Sequence, residues 1–333
     1  MRIFKLITLL IVAFMIVAAG LLPAATASAA SYDGWSLTKQ IQCALRAGSD
    51  FDFQSALQCT GKSKNNGARS SNPGALNQTM PPKTAPRPTY AALGDSVAAG
   101  AGLPSAANAS AQDIQCDRST QAYPRLVARK AGYALIDKAC SGATAGDLVT
   151  QQHIKGPNPA AQLDGAFARG TPALITITAG ANDAHWEQFI RACYATTCNT
   201  ESYTLAANAF LVALQTKLYY VFYAIQARSH GQPPQVIVTG YYNPLSDRCS
   251  ALQQDITPNE INWLSAETAA LNQTLQQVTD RFSFAQFVPI SFTGHDICAP
   301  SPWVQSLSDP APFHPTATGQ QVISRQILRT LNN

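Results

Sequence analysis

A serine, a histidine and two polar turns in this sequence have the residue types that nucleophilic acyl transfer needs. Ser96 follows Gly94 and Asp95, directly after an apolar run that begins at Tyr90. A serine at such a strand-to-helix turn projects above the sheet edge where ligands of open α/β sheets bind, so its position suits a nucleophile. Alone, the Gly-Asp-Ser triplet is weak evidence, because Asp and Ser after Gly are also ordinary helix-capping residues.

The other candidate groups follow later apolar runs or precede the last predicted helix. Residues 140–143 (Cys-Ser-Gly-Ala) and 180–183 (Gly-Ala-Asn-Asp) each follow such a run. A tetrahedral oxyanion needs preorganised N–H donors, which the backbone of Gly142 and the amide of Asn182 can supply. The neighbouring Asp183 cannot be such a donor when ionised, because a carboxylate only accepts hydrogen bonds. Near the C-terminus, His314 offers an imidazole as a general base.

Short apolar or β-branched runs alternate with helical periodicity from Thr89 onward, and this alternation predicts an α/β fold with a parallel sheet. Apolar residues spaced three and four apart predict long helices around 210–225 and 261–282, and a last amphipathic helix begins near Thr316. The predicted strands are Tyr90 to Leu93, Ala134 to Ile136, Ala173 to Thr178, Gln235 to Thr239 and Phe284 to Val288.

Composition and charge exclude several classes of protein. Of the 333 residues, 13% are charged and 46% are hydrophobic, so the chain is globular rather than a disordered polyelectrolyte. The formal net charge is +4, and a group of basic residues lies between Gly61 and Pro88 without an acidic one among them. No clustered basic surface is visible elsewhere, so we expect no nucleic-acid partner. The oligomeric state is left open.

The chain before the main domain divides into three segments by composition. Residues 1–30 carry Arg2 and Lys5, then an apolar run and small residues, which is the order of a secretory signal peptide. No later run approaches the roughly 18 apolar residues of a membrane span, so we expect none after signal removal. Residues 31–60 are predicted to be a disulfide-closed N-terminal mini-element, and 61–88 a Pro/Gly/Ser/Lys linker. Residues 89–333 form the predicted main domain.

Eight cysteines form an even set in a chain that is expected to be exported, and this predicts disulfides. Zinc is the competing use of such residues, but the sequence has no Cys-x-x-Cys or His-x-x-x-His spacing. We therefore expect no metal and no other cofactor. The sequence alone leaves the pairing of the cysteines open.

Several blocks of the main domain occur in an order that is typical of one known family. They are Tyr90 through Gly100, Cys116 through Ser119 with Ala122-Tyr123-Pro124, Ala139 through Asp147, Ile175 through Asp183, Val236 through Tyr241, and His314-Pro315. In these blocks the chain resembles the SGNH or GDSL-type hydrolases, in particular their secreted bacterial esterase and lipase branch. The resemblance implies a three-layer α/β/α sandwich of the SGNH/flavodoxin-like kind, with a central, mostly parallel five-stranded sheet.

The resemblance also implies roles for the candidate residues. Ser96 is the implied nucleophile, and His314 is the general base and then the general acid. The N–H groups of Ser96 and Gly142 and the side chain of Asn182 form the implied oxyanion hole. Disulfides are implied in chain order, as Cys43–Cys59, Cys116–Cys140, Cys193–Cys198 and Cys249–Cys298.

One departure from the family concerns the group that orients the histidine. Many members have an aspartate three residues before the histidine, where this sequence has Ala311. Asp309 lies five residues before His314, and the prolines at 310 and 312 could bend it back towards the ring. The alternative is a backbone carbonyl near Ala311. We favour the carbonyl, because an orienting group has only to hold the tautomer and steady the imidazolium.

Other aromatic and imidazole side chains are candidates for lesser roles. His295 beside Asp296 mimics an acid–base pair, but adjacent residues in an extended segment point to opposite faces, which favours a structural role. His185 and Trp186 either line the substrate cleft or pack at a helix start. Trp303 is a candidate wall of the cleft.

The expected function is a secreted, extracellular serine esterase or lipase that hydrolyses small-molecule or lipid carboxylic esters. A phospholipase or a polysaccharide O-deacetylase using the same residues is the alternative within enzymes. A hypothesis of another class is a non-catalytic secreted module that holds a surface through the mini-element and the linker. The joint presence of Ser96, Gly142, Asn182 and His314 makes the binding module the weaker hypothesis.

Overall fold

The computed structural model describes residues 86–246 and 255–332 of the chain. Within them, parallel strands form one sheet in the order β2-β1-β3-β4-β5. All the predicted strands are present with bounds within one residue, and the sheet of the described residues is wholly rather than mostly parallel. The strands are β1 (Thr89–Gly94), β2 (Ala134–Asp137), β3 (Leu174–Thr178), β4 (Gln235–Thr239) and β5 (Ala285–Val288).

Helices cover both faces of the sheet. The helices are α1 (Ser96–Ala99), α2 (Ala111–Gln115), α3 (Tyr123–Ala131), α4 (Gln162–Phe167), α5 (Trp186–Ala195), α6 (Glu201–Arg228), α7 (Pro258–Thr279) and α8 (Ala317–Leu331). Helix α3 packs against α8, and helix α6 packs against α7. With the sheet between these two pairs, the architecture is the expected three-layer α/β/α sandwich.

Local chemistry sets where the long helices begin. Thr257 and Glu260 form a reciprocal capping box at the start of α7, and Pro258 occupies its first position. Thr316 caps α8 by accepting a hydrogen bond from the Gly319 N–H, so the helix begins where the sequence predicts it. These caps satisfy N–H groups that the helix itself cannot pair.

The central strands are buried on both faces, as expected for a parallel sheet covered by helices. All residues of β3 are buried, including the polar Thr176 and Thr178. Their hydroxyls are satisfied inside the core: Tyr90 Oη lies 2.7 Å from Thr176 Oγ1, and Tyr123 Oη lies 2.8 Å from Thr178 Oγ1. The central strands therefore provide a packed floor beneath the carboxyl ends of the sheet, with these polar groups paired.

The strand order reverses between β1 and β3, and this reversal creates a crevice. The chain passes from β1 outward to β2 and then returns across β1 to reach β3. In open α/β sheets, ligands bind outside the carboxyl ends of the strands at such a switch point. Gly94 at the end of β1 is paired in register with Thr178 at the end of β3. The turns that follow these two strands therefore lie side by side.

Helix α6 is long and apolar enough to cross a membrane, by length and composition only, although no such stretch was expected after residue 30. Its inner side packs against α7 and the core through Leu214, Leu218, Val221 and Ile225, which are all buried. A core helix of a globular domain passes the same test, so the observation is weak evidence for a membrane span.

Two of the implied disulfides lie within the described residues. Cys116 is bonded to Cys140 and Cys193 to Cys198, as the resemblance implied. Cys298 is also disulfide-bonded, and its implied partner Cys249 lies outside the described residues. The implied Cys43–Cys59 pair, the predicted signal peptide, the mini-element and residues 61–85 of the predicted linker lie outside them as well.

Candidate active site

Ser96 begins α1 immediately after the end of β1, in a tight turn. The Asp95 N–H donates to the Thr178 carbonyl at 2.9 Å, and the Asp95 carboxylate caps α1 by accepting from the Val97 N–H at 2.9 Å. Gly94 has a φ of +132°, and a Cβ atom there would overlap the Thr178 carbonyl oxygen. Only glycine fits this turn, which leaves Ser96 half-buried and lining the main cleft.

His314 lies next to Ser96 in the structure, although 218 positions separate them in the chain. Its Nε2 is 2.7 Å from Ser96 Oγ, and its Nδ1 is 3.0 Å from the carbonyl oxygen of Pro312. A carbonyl oxygen only accepts, so Nδ1 carries the proton and Nε2 presents a lone pair to the serine hydroxyl. This is the geometry of a nucleophile and its general base.

The surroundings of His314 favour its neutral form. Burial lowers the pKa of the imidazole below its ordinary 6.5, and the hydrogen bond to the Pro312 carbonyl opposes this shift without cancelling it. The ring is therefore neutral at neutral pH. A neutral ring is the form that can accept the serine proton.

Asp309, one of the two candidate orienting groups, does not contact the histidine. Its Oδ2 accepts hydrogen bonds from the Ser306 N–H at 2.6 Å and from the Ser306 hydroxyl at 2.8 Å. The carboxylate therefore closes the turn from Ser306 to Asp309 and is occupied there. Among the residues that the structure describes, no carboxylate is hydrogen-bonded to the His314 ring.

The orienting carbonyl belongs to Pro312, one residue after the predicted Ala311. The Ala311 carbonyl instead accepts from the backbone N–H of His314 at 3.2 Å. Phe313, between Pro312 and His314, adopts a left-handed φ of 68°, and this turn brings the Pro312 carbonyl to face the ring. A backbone carbonyl rather than Asp309 is therefore hydrogen-bonded to the ring, and it belongs to Pro312, the residue after Ala311.

The groups predicted to form an oxyanion hole line the same cleft as Ser96 and His314. The N–H groups of Ser96 and Gly142 have no hydrogen-bond acceptor within residues 86–246 and 255–332, so both are available to a ligand. The Asn182 amide donates one N–H to the Ala143 carbonyl at 2.8 Å, which leaves its second N–H for the cleft. Donors held in this way can stabilise a developing negative charge.

A disulfide and two hydrogen bonds hold the loop that carries Gly142. The Cys116–Cys140 disulfide lies just before it, and the Ser141 N–H donates to the Cys116 carbonyl at 3.2 Å. On its other side, the buried carboxylate of Asp183 accepts from the Ala145 N–H at 2.7 Å. Asp183 thus serves as an acceptor that ties this loop to the turn after β3.

The site opens into a cleft of about 620 Å³ whose walls are largely apolar, with the charged side chains of Asp117, Glu187 and Arg191 also lining it. One wall is α5, which presents Trp186, Ile190 and Tyr194 at four-residue spacing and therefore on one helix face. Leu307 and Pro310 also line the cleft. Leu307 is 52% exposed and Tyr194 37%, so apolar side chains reach the surface beside the cleft. Such a cleft suits a substrate with an apolar portion.

The remaining aromatic and imidazole candidates divide between the cleft and the scaffold. Trp186 lines the cleft, whereas the His185 ring packs on Phe210 with a centroid distance of 4.1 Å. Trp303 does not line the cleft, so the prediction that it forms a wall is wrong: its ring stacks on His295 at 3.6 Å. His295 therefore has the structural role that the sequence favoured.

The side chains behind Ser96 were not predicted from the sequence. Asp95 is buried, and its Oδ2 accepts a hydrogen bond of 2.5 Å from the hydroxyl of Tyr241. Burial raises the pKa of Asp95 to about 7, although the hydrogen bonds from Tyr241 and the Val97 N–H oppose the shift. The two residues are 146 positions apart. No local sequence pattern links them. Tyr241 was identified only as the last residue of the stretch from Val236 that resembles the SGNH hydrolases.

Comparison with known proteins relates this site to a family. Residues 92–322 match the GDSL-like Lipase/Acylhydrolase family. The chain is 33% identical over 257 residues to a lipase of Streptomyces rimosus, an alignment that covers 73% of this chain and 85% of the relative. It is 32% identical over 244 residues to Lipase 1 of Streptomyces coelicolor, covering 69% and 82% of the two chains.

Solved structures are similar over the same part of the chain. An extracellular lipase from Streptomyces rimosus superposes with a TM-score of 0.58 and 29% identity, covering 74% of this chain and 98% of that one. Phospholipase A1 from Streptomyces albidoflavus NA297 superposes with a TM-score of 0.59 and 26% identity, with the same coverage of 74% and 98%. The chain therefore belongs to the GDSL-like lipase/acylhydrolase family, a family of SGNH hydrolases that cleave carboxylic esters.

Proposed function

We propose that this protein is a secreted serine esterase or lipase in which Ser96 attacks a carboxylic ester and His314 moves the proton. The observation that carries the proposal is the 2.7 Å contact between Ser96 Oγ and His314 Nε2 at an open cleft. The Pro312 carbonyl adds support, because it selects the tautomer that this reaction needs.

In the acylation step, His314 Nε2 takes the hydroxyl proton while Ser96 Oγ forms a bond to the ester carbonyl carbon. The carbonyl oxygen becomes an oxyanion, and the proposed donors to it are the N–H groups of Ser96 and Gly142 and the amide of Asn182. Each such donor lowers the barrier by about 3 to 4 kcal/mol. The ester C–O bond then breaks, and the alcohol leaves with the proton from the imidazolium.

In the deacylation step, His314 takes a proton from water as the water oxygen bonds to the acyl carbon. The bond between the acyl carbon and Ser96 Oγ breaks, the acid is released, and the imidazolium returns its proton to Ser96. The imidazolium that forms in each step donates from Nδ1 to the Pro312 carbonyl. This neutral acceptor supplies the tautomer and orientation that a triad carboxylate supplies in other serine hydrolases.

The walls of the cleft support an ester with an apolar acyl chain. Trp186, Ile190 and Leu307 offer apolar contact area beside the reacting pair, which a bare acetyl group would leave unfilled. A phospholipid is the second candidate substrate, because the chain is similar to phospholipase A1 of Streptomyces albidoflavus over 98% of that protein.

The serine mechanism is tested by replacing the nucleophile. Ser96→Ala is expected to lower kcat for a simple aryl ester by about 10⁴-fold or more while folding is retained. Ser105→Ala removes an exposed serine hydroxyl and is the matched control, with activity equal to that of the wild type. A Ser96→Ala variant that keeps wild-type turnover would rule out the serine mechanism.

Covalent labelling separates an enzyme from the binding module. A serine-directed fluorophosphonate should modify the wild-type protein at Ser96 and leave Ser96→Ala unmodified, as read by peptide mass spectrometry. A wild-type protein whose Ser96 stays unmodified would favour the binding module.

The substrate class is tested with an ester series of rising acyl length, run beside a phosphatidylcholine and an acetylated glycan. We expect kcat/KM to rise with acyl length over the first carbons, since each added methylene gains apolar contact in the cleft. A maximum at acetyl, with turnover of the acetylated glycan, would favour the O-deacetylase. Release of fatty acid from the phospholipid alone would favour the phospholipase.

Secretion is proposed from the signal-peptide pattern of residues 1–30 and from the similarity to an extracellular lipase. The mature protein in the culture medium is expected to begin at Ser31. Intact-mass and N-terminal peptide analysis of the medium and the cell fraction measures this. An unprocessed chain confined to the cells would contradict the proposal.

A further inference from the structure

Two consecutive tyrosines, Tyr241 and Tyr242, follow Gly240, the first residue after β4, and both are buried. The Tyr241 hydroxyl donates to Asp95 Oδ2 at 2.5 Å and accepts from the Ala181 N–H at 3.2 Å. The Tyr242 hydroxyl donates to the Phe313 carbonyl at 2.7 Å. One short stretch of chain thus reaches three separate turns around the cleft.

The three partners of these hydroxyls share one property: each directly precedes a residue of the proposed catalytic machinery. Asp95 precedes Ser96, Ala181 precedes Asn182, and Phe313 precedes His314. The Phe313 carbonyl belongs to the same planar peptide unit as the His314 Cα atom, so holding this oxygen restricts where His314 lies. Asp95 and Ala181 restrict Ser96 and Asn182 through the hydrogen-bonded turns that contain them. The two hydroxyls therefore act one residue upstream of the nucleophile, of an oxyanion-hole amide and of the base.

The tyrosines are themselves held by the scaffold. The Tyr241 N–H donates to Asn272 Oδ1 at 2.7 Å, and the Asn272 amide donates back to the Tyr241 carbonyl at 2.7 Å, which anchors this residue to α7. The ring of Tyr242 stacks on Phe292 with a centroid distance of 4.1 Å. Neither ring can reorient without losing these contacts, so each presents its hydroxyl from a fixed position.

We propose that Tyr241 and Tyr242 are positioning residues that keep Ser96, Asn182 and His314 in mutual register. The proposal rests on the proposed function of that site. Without the Tyr241 hydroxyl, the Asp95 carboxyl and the Ala181 N–H each lose a buried hydrogen-bond partner, and the turns after β1 and β3 lose their shared link. Without the Tyr242 hydroxyl, the left-handed turn at Phe313 loses its anchor.

The test compares Tyr241→Phe and Tyr242→Phe with Tyr90→Phe. Tyr90 is also buried, and its hydroxyl has a buried partner, Thr176, at 2.7 Å, but it lies at the far end of β1. The control thus loses a comparable hydrogen bond away from the cleft. For each protein, kcat and KM for a short aryl ester, the rate constant of fluorophosphonate labelling and the thermal unfolding midpoint are measured.

We expect Tyr241→Phe and Tyr242→Phe each to lower kcat and the labelling rate constant by about 10- to 100-fold, with KM changed by less than about twofold. A small misplacement of the catalytic groups lowers kcat. KM changes little because both tyrosine rings line the cleft and remain there in the phenylalanine variants. Tyr90→Phe should lower the unfolding midpoint similarly and leave kcat within about twofold of the wild type.

Three results would overturn the proposal. Variants whose kcat and labelling rate match those of Tyr90→Phe would show that the two hydroxyls only stabilise the fold. If kcat fell in proportion to the unfolding midpoint in all three variants, the two hydroxyls would again be shown only to stabilise the fold. If the wild-type protein itself neither turns over the ester nor reacts at Ser96, the proposed function fails and this inference falls with it. Should Tyr241→Phe not fold, Tyr242→Phe carries the test, because its hydrogen bond is separate.

Discussion

Replacing Asp95 by asparagine tests how a buried carboxyl beside the nucleophile affects stability. Burial raises the pKa of this carboxyl from 3.8 to about 7 in the folded protein, whereas the unfolded chain has the ordinary value. Between these pH values, the folded protein keeps a proton that the unfolded chain has released. The free energy of unfolding therefore falls as the pH rises from about 4 to about 7 and levels off above that.

The difference between the two pKa values sets the size of this effect. About three pKa units correspond to about 4 kcal/mol, which is the most that this carboxyl removes from the free energy of unfolding between pH 4 and pH 8. Asparagine does not titrate, and its side-chain oxygen can still accept from the Val97 N–H. We therefore expect Asp95→Asn to gain stability relative to the wild type as the pH rises.

Urea unfolding with the disulfides intact, followed by circular dichroism at about pH 4.5, 6 and 7.5, measures this change. Asp280→Asn is the matched control, because it makes the same substitution at an exposed position. A wild-type-minus-variant difference for Asp95→Asn that does not change over this pH range would refute the reasoning. It would mean that Asp95 is ionised in the folded protein well below pH 7.

Three further predictions concern the base, its loop and the nucleophile turn. Because burial lowers the pKa of His314, the acid limb of the kcat/KM profile for an aryl ester should have its midpoint below 6.5, and a midpoint above 7 would contradict the neutral ring. Asp309→Ala should leave kcat within about threefold of the wild type, since the Asp309 carboxylate is hydrogen-bonded to Ser306. A loss of about 10³-fold in kcat would instead show that Asp309 orients His314. Gly94→Ala should lower the free energy of unfolding by more than about 2 kcal/mol, because its Cβ would overlap the Thr178 carbonyl oxygen, and a stability equal to that of the wild type in urea unfolding would contradict the tight turn.

Most of the fold was predictable because the signals for it are local. A run such as Leu174 to Thr178 reads as a strand by its β-branched residues, and it is buried on both faces. The start of α8 was predictable from Thr316, since a capping hydroxyl acts within one turn of the helix. The exposed side of α6 is also apolar, and this was not predicted from the sequence. Which side of the helix is buried depends on its packing against α7, and the helical periodicity alone does not show this packing.

The candidate site was predictable in its residues and only partly in its contacts. Ser96, Gly142, Asn182 and His314 follow or precede recognisable elements, and the cleft contains all of them. The choice of Pro312 over Asp309 depends on the left-handed φ of Phe313, a conformation that residue type does not specify.

The sequence by itself determined the chemical groups of this protein and the alternation of strands and helices that carries them, since both depend on residue type and short-range periodicity. Only the tertiary structure decided which carbonyl faces the His314 ring and which hydroxyls stand behind Ser96 and Asn182. Those contacts join residues far apart in the chain, such as Tyr241 with Asp95. They arise from the strand order and from how the loops pack, and no local stretch of sequence contains that information.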